Sequence, residues 1–122
     1  MRTMAQKRAE FALKETRQAK QSIDSEKLKS FSAGAPSMIL QNGFGQTIAF
    51  WLAKDKAEHR ALFHILTEWL KQTDQQNFGA CRQPADYIQR LSTMDQREYL
   101  KSQNEALALL EWVKRFANAD LV

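Results

Sequence analysis

Catalytic or metal chemistry would be sought first among the histidines, the cysteine and the carboxylates of this sequence. His59 and His64 are five residues apart. On a helix that spacing turns them about 140° from one another, too far to share a metal, which needs the four-residue spacing of an HxxxH pair. Glu58 and His59 are neighbours in sequence and so do not face each other on a helix, and a structural or surface role is expected for both histidines. Cys81 stands beside Arg82, which would activate a thiol modestly, yet no histidine lies near it in sequence, and an incidental free thiol is the favoured reading. The GFG of Gly43–Gly45 lacks the preceding strand and the Lys-Ser/Thr of a phosphate-cradling loop. Most carboxylates alternate with Lys or Arg. No active site, metal site or cofactor is expected, and no small-molecule substrate.

The placement of charge opens a second kind of chemistry, contact with phosphate. Net charge is +4, and residues 1–30 hold eight Lys/Arg against four Asp/Glu while residues 31–122 hold ten against ten. The excess therefore belongs to the N-terminal quarter, as a solvated helix face, the favoured reading from charge alone, or as a nucleic-acid footprint. Lys7, Lys14 and Arg17 fall on one side of the helix expected there. Lys114 and Arg115 project from the last helix, as a phosphate contact or as a solvated pair. Gln41, Asn42 and Gln46 are polar groups in an apolar stretch. They either cap backbone at a helix corner, the favoured reading, or present amides to a partner or RNA. Trp51, Trp69 and Trp112 sit on apolar helix faces and read as core before they read as base-stacking platforms.

The elements that must position these residues are helices. Four glycines, two prolines and abundant Ala, Leu, Gln, Lys and Glu point to an all-α chain. Ala5, Ala9, Ala12, Thr16, Ala19 and Ile23 repeat at 4, 3, 4, 3, 4, a narrow small-residue stripe on a first helix from about Thr3 to Ile23. Asp24 or Ser25 is placed to cap a second helix, with Gly34 and Pro36 predicting a kink or break near Ala35. The stretch from Ser30 to Ala53 carries no charge over 24 residues, and 26% of the chain is charged, so it is expected to form the buried middle of the molecule. Asn42-Gly43 reads as a helix stop at a tight corner, with Gly43 left-handed. A short apolar helix, Gly45 to Ala53, and an amphipathic one, Ala57 to Lys71, should follow. Gln72 to Pro84 reads as a loop or disordered arm, and Ala85 to Leu91 as a short helix. The last helix, roughly Asp95 to Ala119 with Ser92 or Thr93 as cap, carries two apolar stripes, Tyr99/Gln103/Ala106/Leu110/Val113/Ala117 and Leu109/Trp112/Phe116. A surface that wide needs several partner helices, or helices and another subunit.

At 122 residues the chain is expected to be one domain, 1–122, able to bury a core without staples. One cysteine gives no disulfide framework, and a reducing compartment is expected. The N-terminal MRTMAQKRAEF lacks the apolar core of a signal peptide, and no stretch reaches the 18 apolar residues of a membrane span. A cytoplasmic protein without membrane partners is the expectation.

Three pieces, MILQNGFGQTIAF at Met38–Phe50, Glu98-Tyr99-Leu100 and EALALLEWVKRFA at Glu105–Ala117, together with the basic first helix, resemble the small subunit of the Cmr-type (type III-B) CRISPR ribonucleoprotein effector complex. The resemblance covers nearly the whole chain in order, and Phe44 and Val113 stand where leucine is commoner. It implies a compact bundle of about six helices without catalytic residues. It also implies stacked copies forming a minor filament beside backbone and large subunits, and contact with guide and target RNA through the complex. On this reading Lys7, Lys14, Arg17, Lys114 and Arg115 would meet RNA phosphate, with Gln41 and Asn42 as weaker candidates. A helix-turn-helix regulator fits poorly, because the helix after Gly43 has no Arg to read base edges. A stand-alone helical interaction module without nucleic acid is the principal alternative.

Overall fold

The computed structural model describes residues 1–119, all of whose regular structure is helical; the last three residues of the expected 1–122 unit lie outside the described residues. Seven helices follow one another: α1 Met4–Lys20, α2 Ser25–Asn42, α3 Phe44–Lys54, α4 Ala57–Thr73, α5 Gln75–Phe78, α6 Pro84–Thr93 and α7 Gln96–Asn118. Local chemistry sets their starts. Thr3 and Gln6 form a reciprocal capping box on α1, Asp24 accepts from Lys27 N at the head of α2, and Asp95 accepts from Glu98 N at the head of α7. Ser92 and Thr93 do not cap α7; their hydroxyls donate back to the Ile88 and Gln89 carbonyls at the end of α6.

The small-residue stripe lays α1 along α7, with Ala12 and Thr16 buried between them. α7 also packs against α2 and α4, so Ala106, Leu109, Leu110, Val113 and Ala117 are closed off from water. That accounts for the width of its apolar face. Trp51, Phe44, Ile39, Ile48, Leu62 and Leu66 complete the centre of the core.

Three expectations change. Pro36 does not break α2, which continues through it with the proline buried inside. The missing N–H frees one carbonyl, but packing along α7 and α3 holds the helix on both sides of the proline. Gln72 to Pro84 is not an arm. It contains the end of α4 and all of α5, and it buries Asn77, Phe78 and Cys81. The uncharged stretch is buried along one face only: Ala35, Ile39, Phe44, Ile48 and Trp51 point inward, whereas Leu40 is 69% and Phe50 46% exposed.

Candidate nucleic-acid interface

α1 carries Lys7, Lys14 and Arg17 on its exposed side, as their helical phase predicts. None of the three side chains makes an ion pair or hydrogen bond among the described residues. Lys7 and Lys14 border an open groove of about 1020 Å³ between α1 and α4, floored by Phe11 and Trp69, whose ring centroids lie 4.9 Å apart. Arg2 shares this groove with them, but so do Glu10, Glu15 and Glu68. Its charge is therefore mixed.

α7 carries the second set of cations. Arg115 is exposed and unpaired among the described residues, whereas Lys114 is half-buried with its ammonium 3.8 Å from Glu111. Arg97 and Lys101, near the head of the same helix, are exposed and likewise unpaired among the described residues. Charge counting by segment conceals them, because residues 31–122 balance overall. The signal that finds them is their helical phase, opposite the apolar stripe.

The joint between these helices is fixed by one carboxylate. Glu105 accepts from Arg8 Nε at 2.6 Å, from Arg8 Nη2 at 3.0 Å and from Trp69 Nε1 at 2.8 Å. The Arg8 hydrogen bonds hold its carboxyl below the usual range against the opposing effect of burial, with the indole N–H adding to them. At the far end Lys20 Nζ donates to the Phe116 and Ala119 carbonyls, so α1 and α7 run parallel.

Gln41 and Asn42 do not cap the corner. Both are exposed, and their side chains have no hydrogen-bond partners among the described residues. The open N–H groups at the head of α3 are met from α7: Phe44 N donates to Gln103 Oε1 at 3.0 Å and Gly45 N to the Tyr99 hydroxyl at 2.8 Å. The Thr47 hydroxyl lies 3.0 Å from the Met38 carbonyl and 2.7 Å from that of Gly43. Gly43 turns the chain at φ 85°, ψ 158°, a positive-φ extended conformation outside the left-handed helical region and open essentially to glycine alone. Gln41 and Asn42 instead belong to a solvent-facing strip with Ser30, Ala33, Gly34, Ser37 and Leu40 of α2 and Gln46, Ala49, Phe50 and Ala53 of α3. The strip has no charged residue, and Lys54 borders it with its ammonium 5.5 Å from the Phe50 ring centroid.

The remaining candidates are core or surface groups. Trp51 is fully buried and Trp69 nearly so, while Trp112 packs tilted against Phe116 with ring centroids 5.6 Å apart. His59 packs on Phe31 with ring centroids 4.0 Å apart, and burial pushes its imidazole below the ordinary value, with the neighbouring Glu58 carboxylate partly opposing. His64 is exposed, 4.0 Å from Glu15. Cys81 is buried, and burial with the nearby Asp86 pushes its thiol up, the reverse of activation. Among the described residues no three His, Cys, Asp or Glu side chains gather in a way that could hold a metal, and no helix is long and apolar enough to cross a membrane.

Fold and surface together define a class, a seven-helix bundle with unpaired cations on its α1 and α7 flanks and an uncharged strip across α2 and α3, all among the described residues. The sequence profile of the CRISPR-associated protein (Cas_Cmr5) family matches residues 4–120, and the chain belongs to that family. A curated relative, the CRISPR system Cmr subunit Cmr5 of Thermus thermophilus, is 29% identical over 119 residues, covering 98% of this chain and 96% of its own. The crystal structure of a CRISPR-associated Cmr5 family protein from the same organism superposes with a TM-score of 0.79 at 26% identity over 100% of both chains.

Proposed function

We propose that this protein is the non-catalytic small subunit of a type III-B CRISPR effector complex, a minor-filament component that helps bind and position target RNA in antiviral defence. The observation that carries the reading is the division of its surface. Lys7, Lys14 and Arg17 stand unpaired on α1 among the described residues, and the exposed side of residues 30–53 has no charge at all. Cations held free of carboxylate partners suit a phosphate backbone, which they would grip without reading sequence. That is what a subunit needs when pairing between guide and target does the reading.

The uncharged strip suits a protein neighbour, and we assign it to a stacked copy of the same chain. Each copy carries +4, and a face without charge adds no local like-charge repulsion when two copies meet there. Gln41 and Asn42, on that uncharged strip, would then hydrogen-bond the neighbour more than the RNA. Lys114, engaged with Glu111, contributes less to phosphate than Arg115.

The test is affinity capture of the tagged protein from its host, before and after RNase. The reading predicts a ladder of small RNAs with larger Cmr subunits, and retention of those subunits after RNase. The Lys7→Glu/Lys14→Glu/Arg17→Glu variant should keep its fold and lose RNA as salt is raised. Recovery of the bare 14.1 kDa chain at low salt would overturn the assignment in favour of a stand-alone interaction module.

A further inference from the structure

The groove beside Lys7 and Lys14 is wide, yet three glutamates share it with its cations. A smaller depression has a more one-sided charge. It lies between α1 and the head of α7, encloses about 480 Å³, and is lined by Arg8, Arg97, Leu100, Lys101, Asn104 and Glu105. Here the single carboxylate is already engaged. Glu105 is held by both Arg8 nitrogens and the Trp69 indole, so it offers little repulsion to an incoming anion. Arg8 and Glu105 cancel, and Arg97 and Lys101 remain as two unpaired positive charges among the described residues.

The other acids at this end of α7 point elsewhere or are occupied. Asp95 caps the helix through Glu98 N, and the Glu98 carboxylate accepts from Asn77 Nδ2. Arg97 is also poorly placed for the stability of its own helix. It is the second residue of α7, in the turn where the helix dipole disfavours a cation. Neither an intramolecular acid nor the dipole accounts for it.

Its phase does. Arg97, Lys101, Asn104 and Arg115 fall within about 60° of one another around α7, and Arg97 and Lys101 are about 6 Å apart along its axis. This places two cations and an amide in one shallow row flanked by the half-exposed Leu100; Arg115 lies farther along the same line, with the exposed Glu111, 3.8 Å from Lys114, between it and Asn104. Such a row fits a phosphodiester backbone lying along the helix. It contains no aromatic platform for base stacking, so it would position a strand without reading it.

We propose that the Arg97–Lys101–Asn104 row is a backbone-phosphate site for RNA on the outer face of α7. The proposal rests on the RNA reading given above, and names within it a contact surface separate from the α1 lysines.

The test uses the assembled complex carrying either the Arg97→Ala/Lys101→Ala or the Lys7→Ala/Lys14→Ala/Arg17→Ala subunit. Binding of a labelled single strand complementary to the guide is titrated across salt. Loss of two phosphate contacts should weaken binding roughly tenfold near 0.1 M salt and flatten the log–log salt dependence by about 1.4. The charge-retaining Arg97→Lys/Lys101→Arg variant should restore the slope. Unchanged affinity and slope for Arg97→Ala/Lys101→Ala, alongside a loss for the α1 variant, would overturn the α7 site and leave the RNA reading standing. No change in either variant would overturn both. Release of the Arg97→Ala/Lys101→Ala subunit from the RNase-treated complex would assign the row to a protein contact and overturn it as well.

Discussion

The α1–α7 joint and the α2–α3 corner are built from opposite materials. The joint closes over a charged network, Arg8 and Trp69 converging on Glu105, and its solvent side carries cations unpaired among the described residues. The corner closes over fully buried Phe44, Ile48 and Trp51, its helix start is met by the neutral Tyr99 and Gln103, and its solvent side has no charge. A helix surface facing only water ordinarily carries charge. The corner lacks it on both faces, the inner one because the protein's own core covers it, the outer one as the proposed contact with a stacked copy requires. α7 belongs to both regions, presenting Tyr99 and Gln103 to the corner and Arg97 and Lys101 to solvent.

The contrast yields graded expectations for stability. Phe44→Ala removes a ring with no solvent exposure and should cost about 3–5 kcal/mol in denaturant unfolding, with little dependence on pH. Glu105→Ala should cost about 2–3 kcal/mol, because it strands Arg8 and the Trp69 indole together. That loss should depend on pH, since the Glu105 carboxyl is held below its ordinary 4.5. The network's contribution is fully present above that value. As pH drops further the unfolded chain takes up its proton first, and the contribution fades through the lower folded-state pKa. The gap between wild type and Glu105→Gln, measured by chemical denaturation, should therefore narrow below about pH 4.5. Tyr99→Phe leaves Gly45 N without its acceptor and should cost about 1 kcal/mol, equally at acid and neutral pH.

The smallest expected effect probes the strip. Gly34 lies mid-helix with nothing within 4 Å of an added Cβ, so Gly34→Ala should stabilise the isolated subunit by about 0.5–1 kcal/mol. If the strip is covered in the complex, the same methyl should weaken subunit incorporation while raising the melting temperature of the free protein. Equal incorporation of both forms would place Gly34 outside the contact.

Much of this architecture is legible in the chain. The 4, 3, 4 spacing of Ala5, Ala9, Ala12 and Thr16 puts Lys7, Lys14 and Arg17 outward, and Asp24 is readable as a cap. Phe78 is hidden because one aromatic in a polar run carries no periodicity, so α5 reads as loop. The corner caps are hidden for a different reason. Gln103 and Tyr99 reach Phe44 and Gly45 across 59 and 54 residues of sequence, and such partners have no local signature, whereas Gln41 and Asn42 are nearby and chemically suitable. The lack of charge from Ser30 to Ala53 reads as burial. It fits equally well a helix buried on one face by its own core and reserved on the other for a neighbour.

Mapping of ultraviolet protein–RNA crosslinks in the assembled complex tests the division most directly. The account predicts crosslinked peptides from α1 and from the outer face of α7, with none from residues 30–53. Crosslinks concentrated in 30–53, with α1 and α7 unmarked, would contradict it.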